Sequence, residues 1–230
     1  MVVDRDVTEV RELSRILTNA GHEVASVTSG ELALRAVRER RPDLLLIDPA
    51  LPDLTGSEVC RTLRADPVLG RLPIIVLSES DDEIDRVVAF EVGADDFVTK
   101  PYSHRELVLR VRAILRRRRR NDELEGPASV GALEIDPAAH RVAVGNVEII
   151  LSALEFKLLA TLYQRRDRVQ TREVLLEEVW GGADGVGLRT VDACVKRLRQ
   201  KLGSAGALVE TVRGVGYRFV ASEGLSSRAG

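Results

Sequence analysis

Short apolar runs alternate with amphipathic segments through the first half of the chain. Val24–Val27, Leu44–Ile47, Ile74–Leu77 and Phe97–Thr99 read as strands, and the second and third of these are apolar on both faces. Continuous apolar strands suit a parallel sheet covered by helices on both sides. Between them, apolar residues recur at helical spacing: Val10, Leu13, Leu17; Leu32, Ala36; Val59, Leu63; Ile84, Val87, Val88; and Leu107, Val111, Ile114. The last of these segments opens with Ser103-His104-Arg105-Glu106, a capping-box pattern. With a short first strand at Met1–Val3, five βα units predict a doubly wound α/β domain with a five-stranded parallel sheet.

The pattern changes in the second half. Alternation at Val130, Leu133 and Ile135, then Val142 and Val144, then Val147 and Ile149 predicts a small antiparallel sheet, with turns at Asp136-Pro137 and Gly145-Asn146. Ser152-Ala153-Leu154-Glu155 opens a helix to about Gln164. Thr171 caps a second helix that ends at Trp180, and a third runs from about Leu188 to Leu202 and stops at Gly203. Strands at Val209–Val212 and Tyr217–Val220 flank the turn Arg213-Gly214-Val215-Gly216. Three helices and a terminal hairpin predict an α+β winged helix-turn-helix.

Composition sharpens the division. The chain has 230 residues, 44% apolar and 30% charged, with a net charge of −2, which suits two small globular domains and excludes a disordered, collagenous or disulfide-framed chain. Residues 1–115 carry a net of −6, whereas residues 189–218 hold seven basic and two acidic side chains. Between them, five arginines at 116–120 precede a polar stretch with Gly126-Pro127, so the expected organisation is a first domain at 1–119, a linker at 120–129, a winged helix at 130–222 and a tail at 223–230. No apolar run is long enough to cross a bilayer, and the N-terminus lacks a signal-peptide pattern. Cys60 and Cys194 read as reduced packing thiols of a cytoplasmic protein without membrane partners.

A doubly wound sheet works at the carboxyl ends of its strands. Those ends present Asp4 and Asp6, Asp48, Ser78 and Lys100. Carboxylates, a hydroxyl and a lysine converging there suit Mg²⁺ and phosphoryl chemistry, with Asp48 as nucleophile and Ser78 and Lys100 on the phosphoryl oxygens.

On these residues, with Leu51–Gly56 and Gly93–Pro101, the first half resembles a two-component receiver domain. Through Glu155–Leu159, Arg189–Asp192 and Thr211–Phe219, the second resembles the OmpR/PhoB winged-helix effector domain. The resemblance implies Asp48 as phosphoacceptor, Ser78 as switch hydroxyl, Lys100 as phosphate-pairing lysine, Phe97 as switch aromatic and a cis Lys100–Pro101 bond. It also implies a cognate sensor histidine kinase, RNA polymerase as a partner through the Gly181–Gly187 turn, and a homodimer. The dimer set is Arg86 with Glu106, Asp95 with Arg110, and Asp96 with Arg117. One departure concerns the metal. The family places two adjacent acids after the first strand, and this chain has Asp4-Arg5-Asp6. Either Arg5 crowds the site and pairs with Asp48, or it points away and leaves Asp4, Asp6 and Asp48 as the Mg²⁺ ligands.

On the third helix, Val191, Val195, Leu198 and Leu202 form an apolar face, and Arg189, Ala193, Lys196, Arg197 and Gln200 project opposite. Such a helix, with Thr190 in its DNA-binding set, suits the major groove, Arg213 on the wing suits a minor groove, and Thr211 and Tyr217 suit phosphates. The sequence thus predicts a non-enzymatic response regulator that binds duplex DNA at tandem half-sites. The alternatives are a phosphorylation-independent regulator, a Mg²⁺-dependent phosphatase using Asp48, and an adaptor that no longer binds DNA.

Overall fold

The computed structural model describes residues 1–120, 128–137, 139–181 and 187–221, with residues 116–120 described by their backbone. The chain divides into two compact units, Met1–Arg119 and Arg120–Gly230.

In the first unit, β1 (Val2–Val3), β2 (Ser26–Val27), β3 (Leu45–Ile47), β4 (Ile74–Ser78) and β5 (Asp96–Thr99) alternate with α1 (Val7–Asn19), α2 (Gly30–Arg40), α3 (Gly56–Ala65), α4 (Glu83–Val92) and α5 (His104–Arg120). The sheet order is β2-β1-β3-β4-β5, and every pair is parallel. The order reverses between β1 and β3, which places a crevice at their carboxyl ends. One core is formed by Val2, Leu46, Ile75, Leu77 and Val98 from the sheet with Leu13, Leu17, Leu107 and Val111 from α1 and α5. Loop acids fix the helix starts. Asp53 accepts hydrogen bonds from the Gly30 and Glu31 N–H groups at 2.7 and 2.9 Å, which holds its carboxyl at about 2. Thr55 and Glu58 form a reciprocal capping box on α3.

The second unit opens with the antiparallel sheet β6 (Ala128–Val130), β7 (Leu133–Asp136), β8 (Arg141–Val144) and β9 (Val147–Glu148). Its first strand begins two residues inside the stretch expected to be linker; residues 121–127 and the tail lie outside the described residues. Then come α6 (Ala153–Gln164), β10 (Gln170–Thr171), α7 (Arg172–Leu175) with a π-helical turn over Leu176–Trp180, and α8 (Leu188–Leu202). The wing, β11 (Val209–Val212) and β12 (Gly216–Phe219), pairs with β10 in the order β10-β12-β11. Gly216 is dictated by that pairing, since a Cβ there would stand 2.0 Å from the Gln170 carbonyl oxygen. Trp180 is buried and packs, as do Leu158, Leu159 and Leu162; Cys60 and Cys194 are buried free thiols.

Candidate functional site

The carboxyl ends of β1, β3, β4 and β5 gather Asp4, Asp48, Ser78 and Lys100. Asp4 and Asp48 are only 2% and 5% exposed. The Lys100 ammonium donates to Asp4 Oδ2 and Asp48 Oδ2, each at 2.7 Å. The Lys100–Pro101 bond is cis. Burial opposes the ammonium charge, but the hydrogen bonds and attraction from both carboxylates outweigh it and hold the Lys100 pKa above its ordinary value. The other oxygens are fixed by the backbone: Asp48 Oδ1 accepts from Ala50 N at 2.7 Å and Asp4 Oδ1 from Asp6 N at 2.9 Å. Ser78 Oγ accepts from Ser80 N at 3.1 Å. Phe97 is buried beneath the Arg86 guanidinium, whose carbon lies 5.4 Å from the ring centroid.

Asp6 does not join this group. Its Oδ1 accepts from Thr8 N at 2.7 Å, capping α1, and that hydrogen bond holds its carboxyl below the usual range. The expected trio of ligands is therefore reduced to two, and among the described residues no group of three acidic, histidine or cysteine side chains could hold a metal. Asp4 and Asp48 still fit Mg²⁺, a hard cation often held by one or two carboxylates with waters and phosphate oxygens. Arg5 is exposed, and the partner of Asp48 is Lys100.

At the α4–β5–α5 face, residues expected to pair between protomers make the following contacts within the chain. Asp95 is 2% exposed. It accepts from Arg64 Nη2 at 2.7 Å and Ile74 N at 2.9 Å, so it faces α3 and not Arg110. Arg110 instead pairs with Asp96 at 3.2 Å and with Glu106, one helical turn back, at 2.8 Å. The reason is geometric: successive residues where β5 begins point to opposite faces, so only Asp96 can meet α5. Arg86 reaches Phe97 and Thr99. The Arg117 side chain lies outside the described residues. Beside these charges stand Ile84, 67% exposed, with Val88 and Leu109, which sequence periodicity assigns to helix cores or passes over.

The basic surface of the second unit is also narrower than expected. Arg189, Lys196 and Gln200 are exposed on α8, and Arg213 is exposed on the wing, where Gly214 takes a φ of 73°. Thr211 is exposed and its Oγ1 accepts from Arg199 Nη2 at 2.9 Å. Three predicted contacts turn inward. Thr190 is buried in the first turn of α8. Tyr217 is buried, and its hydroxyl donates to Asp192 at 2.5 Å while Arg172 and Arg199 flank its ring. Burial and the Asp192 contact push that phenol up to about 12. Arg197 is 9% exposed and pairs through Nε with Glu155 Oε1 at 3.2 Å. It stands on the flank of α8 that packs on α6, where a charged residue is tolerated only with a counter-charge.

In the sequence that counter-charge reads only as part of a helix cap. Glu155 is 1% exposed. Its Oε2 receives Lys201 Nζ at 2.7 Å and Ser152 N at 2.8 Å, and Lys201 also donates to Ile150 O at 3.0 Å. Burial raises the Glu155 pKa, but Arg197 and Lys201 more than offset it and leave the carboxyl below its ordinary value. Asp192, Arg172 and Arg199 likewise escape a reading of the sequence, because their roles depend on contacts between α7, α8 and the wing.

An acid–lysine site on a doubly wound sheet, followed by a winged helix with a basic outer face, defines a two-unit signal-responsive transcription regulator. Residues 1–112 match the family described as response regulator receiver domain, and residues 146–219 match the family described as transcriptional regulatory protein, C terminal. The chain is similar to the DNA-binding response regulator MtrA of Mycolicibacterium smegmatis, 44% identical over 95% of each chain. It is similar also to the phosphate regulon transcriptional regulatory protein PhoB of Pseudomonas aeruginosa, 41% identical over 95% of this chain and 96% of the relative. Among solved structures, a cysteine-to-serine mutant of RitR superposes with a TM-score of 0.79 at 29% identity, over 96% of this chain and 98% of that one. The chain belongs to the OmpR/PhoB-type response regulators.

Proposed function

We propose that Asp48 accepts a phosphoryl group and that this modification controls DNA binding by the winged helix. The carrying observation is the placement of one ammonium, Lys100, at 2.7 Å from each of two buried carboxylates. Two acids against one cation leave the site one positive charge short. Asp4 and Asp48 would hold Mg²⁺, which supplies charge neutralisation for the incoming phosphoryl oxygens. An Asp48 carboxylate oxygen forms the new P–O bond, and the bond from phosphorus to the donor breaks with its electron pair leaving on the donor. Lys100 keeps its proton and pairs with the added phosphoryl oxygens, and the Ser78 hydroxyl donates to another. The phosphodonor in the cell would be a sensor histidine kinase.

In the second unit, Arg189, Lys196 and Gln200 face the major groove, Arg213 enters the minor groove and Thr211 meets a phosphate. Arg86, Asp96, Glu106 and Arg110, with exposed Ile84, Val88 and Leu109, form the self-association face that places two winged helices on tandem half-sites. The regulator acts in the cytoplasm, without an enzymatic reaction of its own on a diffusible substrate. RNA polymerase is the remaining partner; most of the loop proposed for it, 182–186, lies outside the described residues.

The test is intact mass after incubation with a small phosphodonor and Mg²⁺, with Asp48→Asn as control. A mass gain lost in the variant is expected. No gain, with salt-dependent duplex binding intact, would favour a regulator independent of phosphorylation.

A further inference from the structure

The helix proposed to read bases carries an acid where its task calls for cations. Residues 189–218 hold two acidic side chains, Asp192 and Glu210. Asp192 follows Arg189 by three residues and precedes Lys196 by four, so it stands one turn of α8 from each. Its side chain is 44% exposed, and a carboxylate there repels the phosphates that this face is proposed to approach. Attraction to DNA does not account for Asp192. Its partners do.

Asp192 Oδ1 accepts from the Tyr217 hydroxyl at 2.5 Å and from Arg172 Nε at 2.7 Å. Three elements therefore meet on one oxygen: α8, the first residue of α7, and β12. Tyr217 sits in the central strand of the wing sheet, opposite Thr211 and next to Gly216. It is buried, and the Arg172 and Arg199 guanidinium carbons lie 5.1 and 5.5 Å from its ring centroid. Arg199, two helical turns after Asp192, makes a second tie. Its Nε donates to Val209 O at 2.8 Å and its Nη2 to Thr211 Oγ1 at 2.9 Å. The two ties differ in place. Arg199 holds β11 from the strand's first residue. Asp192 meets β12 just behind the turn that carries Arg213, and it does so from the first half of α8, the end that reaches base edges in a helix-turn-helix.

We propose that Asp192 is a positioning residue: through Tyr217 it fixes the wing tip against the base-reading end of α8, and so sets the spacing between major-groove and minor-groove contacts that a DNA site must match. This rests on the DNA reading given above for α8 and Arg213. The minor groove narrows over A·T runs, and its deepened negative potential there draws arginine. A fixed tip makes the position of such a run part of the recognised site, and a loosened tip tolerates its displacement.

Tyr217→Phe is the sharpest variant, since it deletes one hydroxyl and keeps the ring between the two guanidiniums. Asp192→Ala removes both hydrogen bonds, and Asp192→Asn keeps an acceptor and serves as the rescue. In the full chain without DNA, nitroxides at Val215→Cys and Gln200→Cys report the distance from wing tip to α8 by double electron–electron resonance; Cys60 and Cys194 are buried. The distribution should stay narrow in Asp192→Asn and broaden in Tyr217→Phe and Asp192→Ala. The second readout is fluorescence anisotropy on duplexes whose A·T run is moved by one base pair. The move should cost the wild type and Asp192→Asn at least about fivefold in affinity, and Tyr217→Phe and Asp192→Ala less than about twofold. An unchanged distance distribution overturns the proposal, as does a spacing preference in Tyr217→Phe as sharp as that of the wild type. Equal weakening on both duplexes in Tyr217→Phe, with distances unchanged, would make the phenol a phosphate contact instead. Broadened distances in a protein whose wild type ignores the position of the A·T run would overturn the minor-groove reading of Arg213, and the spacing role with it, while leaving the tie itself in place.

Discussion

The two units each hold a three-residue charge cluster, and the clusters have opposite stoichiometry. Asp4, Asp48 and Lys100 set two carboxylates on one ammonium. Glu155, Arg197 and Lys201 set one carboxylate between two cations. The first sits at a sheet edge with a deficit of positive charge that an arriving group can fill. The second lies between α6 and α8, where its carboxylate is saturated by two cations and a backbone N–H, and it serves to seat the recognition helix. Similar side chains at similar distances thus give a charge-deficient cluster in one unit and a saturated one in the other. Net charge and access decide which.

The largest effect should come from breaking the closed cluster. Glu155→Gln leaves two cations facing a neutral amide in the interior, and losing one partner of a buried ion pair costs about 3–5 kcal/mol. Urea unfolding of the full chain, followed through Trp180 fluorescence in the second unit, should show the earlier transition. The pH dependence has a definite sign. The folded-state pKa of Glu155 is lowered, so its contribution is present above the ordinary value and is lost as pH falls through the lower folded value. The wild-type midpoint should therefore hold down to about 4.5 and fall below it, and Glu155→Gln should flatten that part of the profile.

In the open cluster the informative readout is chemistry, although Lys100→Met also leaves two buried carboxylates without their cation. Lys100→Met removes the cation proposed to meet the phosphoryl oxygens, and loss of one such charge-stabilising donor costs roughly 10²–10³ in rate. Phosphorylation followed by intact mass should slow by that order. A fall of less than about tenfold would show that Lys100 only holds the two acids apart.

How legible these clusters are in the sequence differs for a physical reason. The parallel sheet, the winged helix and the positions of Asp48, Ser78 and Lys100 can be read because strand alternation and strand ends are local in sequence. The partners cannot. Arg197 carries the charge expected of a base-reading residue, and its burial depends on Glu155, 42 residues earlier, meeting the flank of α8. Asp95 stands in an acidic pair whose two members point oppositely, and only the position of Arg64 on α3 reveals which one faces inward. Tyr217 suits a phosphate in the sequence because nothing local shows Asp192 beneath its hydroxyl.

At the DNA face the comparison predicts a milder effect, because exposed cations do not carry the fold. Arg213→Ala should weaken binding to a cognate duplex by about 1–2 kcal/mol, near tenfold, and leave the unfolding midpoint unchanged. Arg197→Met should do the reverse. It should lower the midpoint of the second unit and weaken cognate and non-cognate duplexes alike, measured by fluorescence anisotropy at fixed salt. A selective loss on the cognate site would return Arg197 to base readout.

The smallest effect concerns Arg5, the residue that makes the open cluster ambiguous in sequence. Its side chain is exposed, and Lys100 already pairs with both carboxylates. Arg5 therefore acts on the site only through space and through solvent. Arg5→Asp changes the local charge by two, and at low ionic strength the apparent Mg²⁺ affinity should rise a few-fold. At about 0.15 M salt, screening over about 8 Å should remove most of that gain. A rise that is large and indifferent to salt would mean that the guanidinium occupies the metal's place, and would make the first cluster as closed as the second.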